Sequence, residues 1–167
     1  SREKIIILIN MYLLLLTFGM CVAYFILFFL YSYFFKNKFT SLEDKNLYSV
    51  AIIVAANIVA YGISFAISDR ELSNRALHAL GGGFMAFLVC YLVVRDLKLE
   101  IGRFQFFIFS FLMVMTMGIG NEVIEWFGQT YLHMIFAATP DNTWLDLLSN
   151  IAGALVGGLC FTPFVKK

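Results

Sequence analysis

Residues Phe104–Gln129 read FQFFIFSFLMVMTMGIGNEVIEWFGQ. The stretch is apolar and free of charge until Glu122, and it is long enough for a helix to cross a hydrocarbon core of ~30 Å. At its end stand two carboxylates one helical turn apart, Glu122 and Glu125. Ionised groups beside hydrocarbon are costly and need partners. A spanning helix that ends in paired acids therefore predicts two things: a membrane protein, and a polar site near one membrane surface.

Working outward, four further runs have the same character. The five candidate spans are Ile5–Phe35, Leu47–Ile67, Ala76–Val94, Phe104–Phe127 and Trp144–Phe164. The first is far longer than the core of a cleaved signal peptide and lacks a clear small-residue cleavage site, so it reads as a spanning helix that tilts or extends into the interface. Connections are short except Gly128–Thr143, which holds Pro140 and other turn-prone residues. The prediction is an all-α fold, a compact bundle of five transmembrane helices forming a single domain over residues 1–167.

Composition agrees. Of 167 residues, 61% are hydrophobic and 14% charged, a balance that a soluble domain of this length could not cover with polar surface. The 19 Phe and 8 Tyr suit a lipid-facing exterior with aromatic belts. The partner implied is the lipid bilayer. A net charge of +1 implies no nucleic acid. Cys21, Cys90 and Cys160 fall in three different apolar runs without metal-ligand spacing and read as small packing residues.

Lys and Arg set the orientation. Lys36, Lys38, Lys45, Arg95, Lys98, Arg103, Lys166 and Lys167 belong to one set of helix ends; Arg2, Lys4, Arg70 and Arg75 belong to the other. The positive-inside rule puts the first set in the cytoplasm, with the N-terminus outside and the C-terminus inside. Arg75 and His78, Glu122 and Glu125, and Asp146 and Asn150 then share one level near the external leaflet.

Each helix contributes a polar face. Glu122, Glu125 and Gln129 stand at i, i+3, i+7 on one side. Carboxylates this close share a proton, hold a metal or bind an arginine, unless they form a solvated helix end. Arg75, His78 and Gly82 repeat the same spacing. Asp146, Asn150, Gly153 and Gly157 form a stripe that is polar at one end and small at the other, able to bring a neighbouring helix close. That stripe reads either as part of a site or as a cap followed by glycine packing. Asp141 belongs to the candidate partners by depth. Trp144 is an interface anchor that could line the site, and His133 is a loop residue. Asn57 and Tyr61 fit an interhelical hydrogen bond. No Ser-His-Asp elbow, P-loop, His-Glu-xx-His or Cys-xx-Cys is present.

These motifs carry a resemblance. The run Asp146-LLS-Asn150-IA-Gly153-ALV-Gly157 is similar to the C-terminal signature of VanZ-like bacterial membrane proteins. Glu122-VI-Glu125 resembles the acidic end of their penultimate helix, and Arg75-AL-His78 the basic start of an earlier one. The resemblance spans about residues 75–158. Where this chain has Glu125 the family usually has glutamine, and an arginine often precedes the Asp146 position. Glu122 to Trp126, with Asp141 and Trp144, leans toward a closely related group of uncharacterised inner-membrane proteins.

The resemblance implies a multi-pass protein of the bacterial cell (inner) membrane and cell envelope, with links to antibiotic (teicoplanin) resistance. The function expected is handling of an anionic or lipid-linked ligand at an outer-leaflet polar site. Arg75, Asn150, Asp141 and Trp144 are the candidate ligand-binding residues. Glu122, Glu125, His78 and Asp146 are the candidate acid–base groups, and the same four residues could hold a divalent metal as cofactor. Two alternatives use the same residues: a non-enzymatic binding or resistance protein, and a proton- or ion-coupled transporter. The latter lacks an inverted repeat and mid-membrane charges.

Overall fold

The computed structural model describes the backbone of residues 2–38, 40–133 and 140–165, and the side chains of 13–38, 40–131, 133 and 142–165. Among these residues every regular element is helical. α1 is Arg2–Lys36 and α2 is Asp44–Phe65. α3, Arg70–Leu97, has three sections: α-helical Arg70–Leu77, π-helical His78–Met85 and α-helical Ala86–Leu97. α4 is Arg103–Leu132, and α5 is Pro140–Phe161, followed by a 3-10 turn at Thr162–Phe164. Among the described residues five helices are long and apolar enough to cross a membrane. The all-α bundle expected from the sequence is the fold.

The helix ends that differ most from the sequence reading are the start of α3 and the end of α4. α3 begins six residues earlier than its apolar run, at Arg70 rather than Ala76. The Asp69 side chain accepts from the Leu72 N–H at 2.8 Å, and Glu71 occupies the first turn. A cap and a favourable charge at the helix N-terminus start a helix that hydropathy alone does not reveal. α4 runs past Phe127 to Leu132, because the buried Gly128 is tolerated inside a helix already formed. His133 ends it in the left-handed region, φ 54°, with its N–H bonded to the Gly128 carbonyl. Pro140 takes the first position of α5, where its missing N–H costs nothing.

α3 is the central helix. In its most apolar window 56% of residues are buried, against 17–28% in the other four spans. A helix apolar all round belongs inside a bundle. Phe87, Val89, Cys90, Leu92 and Val93 are fully or almost fully buried, meeting Tyr24 and Phe28 of α1, Ile53 of α2, Phe106 and Val114 of α4 and Ala154 of α5. The outer helices expose Leu14, Phe18, Phe104 and Leu159, as a lipid-facing surface requires.

Glycine decides how closely α3 meets α5. A Cβ at Gly83 would lie 2.7 Å from the Ala154 nitrogen and 2.8 Å from the Gly153 Cα, and one at Gly153 would collide with the Ala79 carbonyl oxygen. The two backbones touch, as in small-residue packing of membrane helices. The π-helical section lies in this contact zone. An added residue in a helical turn re-aims the side chains beside it, which is why such turns recur at functional sites.

A buried network clamps α1, α2 and α3 near the basic end of the bundle. Asp96, 3% exposed, accepts from the Tyr24 hydroxyl at 2.6 Å, from the Arg95 Nε at 2.9 Å and from the Ser49 hydroxyl. Tyr24 in turn accepts from the Asn46 amide at 2.6 Å, and Arg95 donates to Ser49 at 2.7 Å. Further in, the Asn57 amide donates to Thr17 of α1 at 2.6 Å. The sequence reading counted Arg95 as an interface charge and overlooked Asp96.

Candidate polar site at one end of the bundle

At the opposite end, the start of α3, the last turns of α4 and the start of α5 converge. Arg75 and His78 sit one turn apart on α3, where the α-helical section becomes π-helical. Asn142, Asp146 and Asn150 occupy i, i+4, i+8 on α5 and so share a face. Glu122 projects from α4. The glycine contact between α3 and α5 brings these short polar side chains within reach of each other.

Asp146 is the hub and is 1% exposed. Its Oδ1 accepts from Arg75 Nη1 and, at 2.9 Å, from the Asn74 amide. Its Oδ2 accepts from the Asn142 amide at 2.7 Å and lies 3.5 Å from His78 Nε2. Arg75 also donates to the Asn142 carbonyl at 3.3 Å and to its side-chain oxygen at 3.0 Å. The charge of Asp146 is thus compensated by a guanidinium whose side chain remains 20% exposed. Donors on both carboxylate oxygens fix its orientation.

Two groups inside the site have no such compensation. Glu122 is 8% exposed and its Oε1 has no hydrogen-bond partner among the described residues. Asn150 is 2% exposed and its Oδ1 is also unpartnered among them. Asn150 fits between α3 and α4 because both supply a glycine: a Cβ at Gly82 would collide with its side-chain oxygen, and one at Gly118 would stand 3.0 Å from its amide nitrogen. Buried polar atoms are normally satisfied, so the unpartnered oxygen of Glu122, a residue grouped with His78 and Asp146, marks a place able to hold a proton or a cation.

The donor geometry fits a cation. One ligand atom each from His78, Glu122 and Asp146 can be chosen so that all lie within 4.8 Å of one another. Ligands about 2.0–2.1 Å from a tetrahedral ion stand about 3.3 Å apart. The 3.5 Å between His78 and Asp146 is close to that spacing, and a Glu122 oxygen lies within 4.8 Å of both groups. An imidazole with two carboxylates is a donor set taken by zinc and by harder divalent ions, and it leaves a coordination position open. Without a metal the same trio can pass a proton, since one carboxylate is fixed and the other has an unengaged oxygen.

Glu125, Trp144 and His133 fall outside this centre. Glu125 is partly exposed and accepts from Asn121 at 2.8 Å on its own helix. Trp144 is 66% exposed and lies on the outer surface. The Asp141 side chain lies outside the described residues. His133 is exposed at the end of α4. Sequence reasoning did not count Asn74 and Asn142 as site residues, although Asn142 stands one helical turn before Asp146, a spacing that could have identified it.

No family model, no curated protein and no solved structure matches the chain. Fold and site together define a class: a multi-pass α-helical membrane protein with a buried histidine–carboxylate–arginine centre near one end of its bundle.

Proposed function

We propose that this chain is a VanZ-like cell-envelope protein whose outer-leaflet polar centre binds a divalent cation and, through it, an anionic or lipid-linked ligand. The observation that carries the reading is the convergence of His78, Glu122 and Asp146 beside Arg75. The cation is held by those three side chains and keeps a position open for a ligand oxygen. Arg75, locked on Asp146 and Asn142, adds positive charge at the mouth of the site. Glu122 is the group best suited to accept a proton from the ligand or from a bound water, because its Oε1 is not engaged by other side chains among the described residues. Asn150, seated against Gly82 and Gly118, orients one of the carboxylates.

The test couples metal content to phenotype. The wild-type protein, purified in neutral detergent after growth with zinc and manganese, should retain about one divalent ion per chain by elemental analysis. Its expression should raise teicoplanin resistance in a sensitive host. Glu122→Gln and His78→Gln should lose both properties at unchanged membrane abundance. Resistance that persists in both variants would overturn the assignment of the site.

A further inference from the structure

A groove opens at the basic end of the bundle, far along the helices from the polar centre. It lies between the end of α1, the turn joining α3 to α4 and the first turns of α4, and its volume is about 670 Å³. That is within the ~300–1,000 Å³ typical of small-molecule sites. Phe35, Ile108, Phe109 and Leu112 form its apolar wall, and Lys36 and Lys98 line it as well.

We propose that this groove binds one anionic phospholipid, with the phosphate between Lys36 and Lys98 and an acyl chain along Phe35, Ile108, Phe109 and Leu112. The direction of the groove supports this occupant. Lys36 ends α1 and Lys98 ends α3, whereas Leu112 stands more than two turns inside α4. From Phe104 to Leu112 the wall descends about 12 Å along the helix, so a chain lying against it runs from the interface into the hydrocarbon.

The lysines are placed for a phosphate. Lys36 Nζ donates to the Leu97 carbonyl, which anchors the ammonium at the groove and leaves its other N–H groups open. Lys98 has a left-handed backbone, φ 51°, at the end of α3, and its side chain is exposed. Glu100 also lines the groove, but two other acids of this end, Asp96 and Glu43, have basic partners of their own. Asp96 is paired with Arg95, and Glu43 with Lys45 at 2.9 Å. The Lys45 ammonium, assisted by Lys98 and Lys36, holds the exposed Glu43 carboxyl below the usual carboxylate range. The end as a whole carries an excess of Lys and Arg, which favours anionic head groups at a membrane surface.

The test uses full-length protein in neutral detergent, titrated separately with phosphatidylglycerol and phosphatidylcholine and read by native mass spectrometry. Wild type should retain one phosphatidylglycerol per chain with at least fivefold preference over phosphatidylcholine. Glycerol phosphate, which has the charge without the chain, should not displace it. Lys98→Gln, and Lys36→Gln with Lys98→Gln, should remove the preference. Leu112→Trp, which fills the wall, should lower retention of both lipids. Equal retention of the two lipids by wild type, displacement by glycerol phosphate, or an unchanged preference in Lys98→Gln would overturn the proposal.

Discussion

Asp146 shows how one residue organises a site. Arg75, Asn74 and Asn142 all donate to it, and His78 faces it. Removing the carboxylate leaves a largely enclosed guanidinium without its counter-charge and two amides without their acceptor. Breaking a buried pair from one side typically costs about 3–5 kcal/mol. Asp146→Ala should therefore lower unfolding stability in detergent by about that amount, while Asp146→Ala combined with Arg75→Leu should recover part of the loss. If the double variant is no better than the single, the two side chains are not coupled. At this scale the sequence was informative about type and depth but not about pairing. Asp146, Arg75 and His78 could be selected as costly groups at one level, yet only the fold shows that Arg75 is turned toward Asp146 and that Glu125 bonds along its own helix.

The α3–α5 contact is the element on which the site depends. The stripe Gly153 and Gly157 was readable as a packing face, and it does pack on α3, at Ala79 and Phe87. The π-helical section was not readable, because an extra residue in a turn leaves hydropathy and composition unchanged and alters only the register. The early start of α3 was hidden for a related reason: Arg70 to Asn74 are mostly polar, and their helix comes from the Asp69 cap rather than from an apolar face. Two glycines separate contact from conformation. Gly153→Ala places a methyl group against the Ala79 carbonyl and should cost about 1–3 kcal/mol by overpacking. At Gly81 a Cβ meets nothing within 4 Å, so Gly81→Ala should be neutral or stabilising by up to about 1 kcal/mol. Equal effects at the two positions would contradict the backbone contact.

For the whole molecule, the same pattern of charges that marks five spans also polarises the bundle. One end holds the buried His78, Glu122 and Asp146 centre; the other holds the Asp96 clamp and most of the lysines and arginines. The number of spans was legible because apolar length is a strong signal, whereas the central place of α3 was not, since all five runs are similarly hydrophobic. The basic asymmetry predicts that the polar centre faces outward. In a background with Cys21, Cys90 and Cys160 replaced by alanine, Glu71→Cys should react with an impermeant thiol reagent in intact cells and Glu100→Cys only after lysis. The reverse pattern would invert the protein and place the centre in the cytoplasmic leaflet.

The central claim is that His78, Glu122 and Asp146 form one cation-binding centre. Titrating the purified protein with Co(II) and following its visible d–d absorption tests this most directly, because intensity and position report coordination by nitrogen and oxygen ligands. The account predicts one saturable site per chain, abolished in Asp146→Asn and in Glu122→Gln and retained in Glu125→Gln. No saturable spectrum in wild type, or the same spectrum in Asp146→Asn, would contradict it.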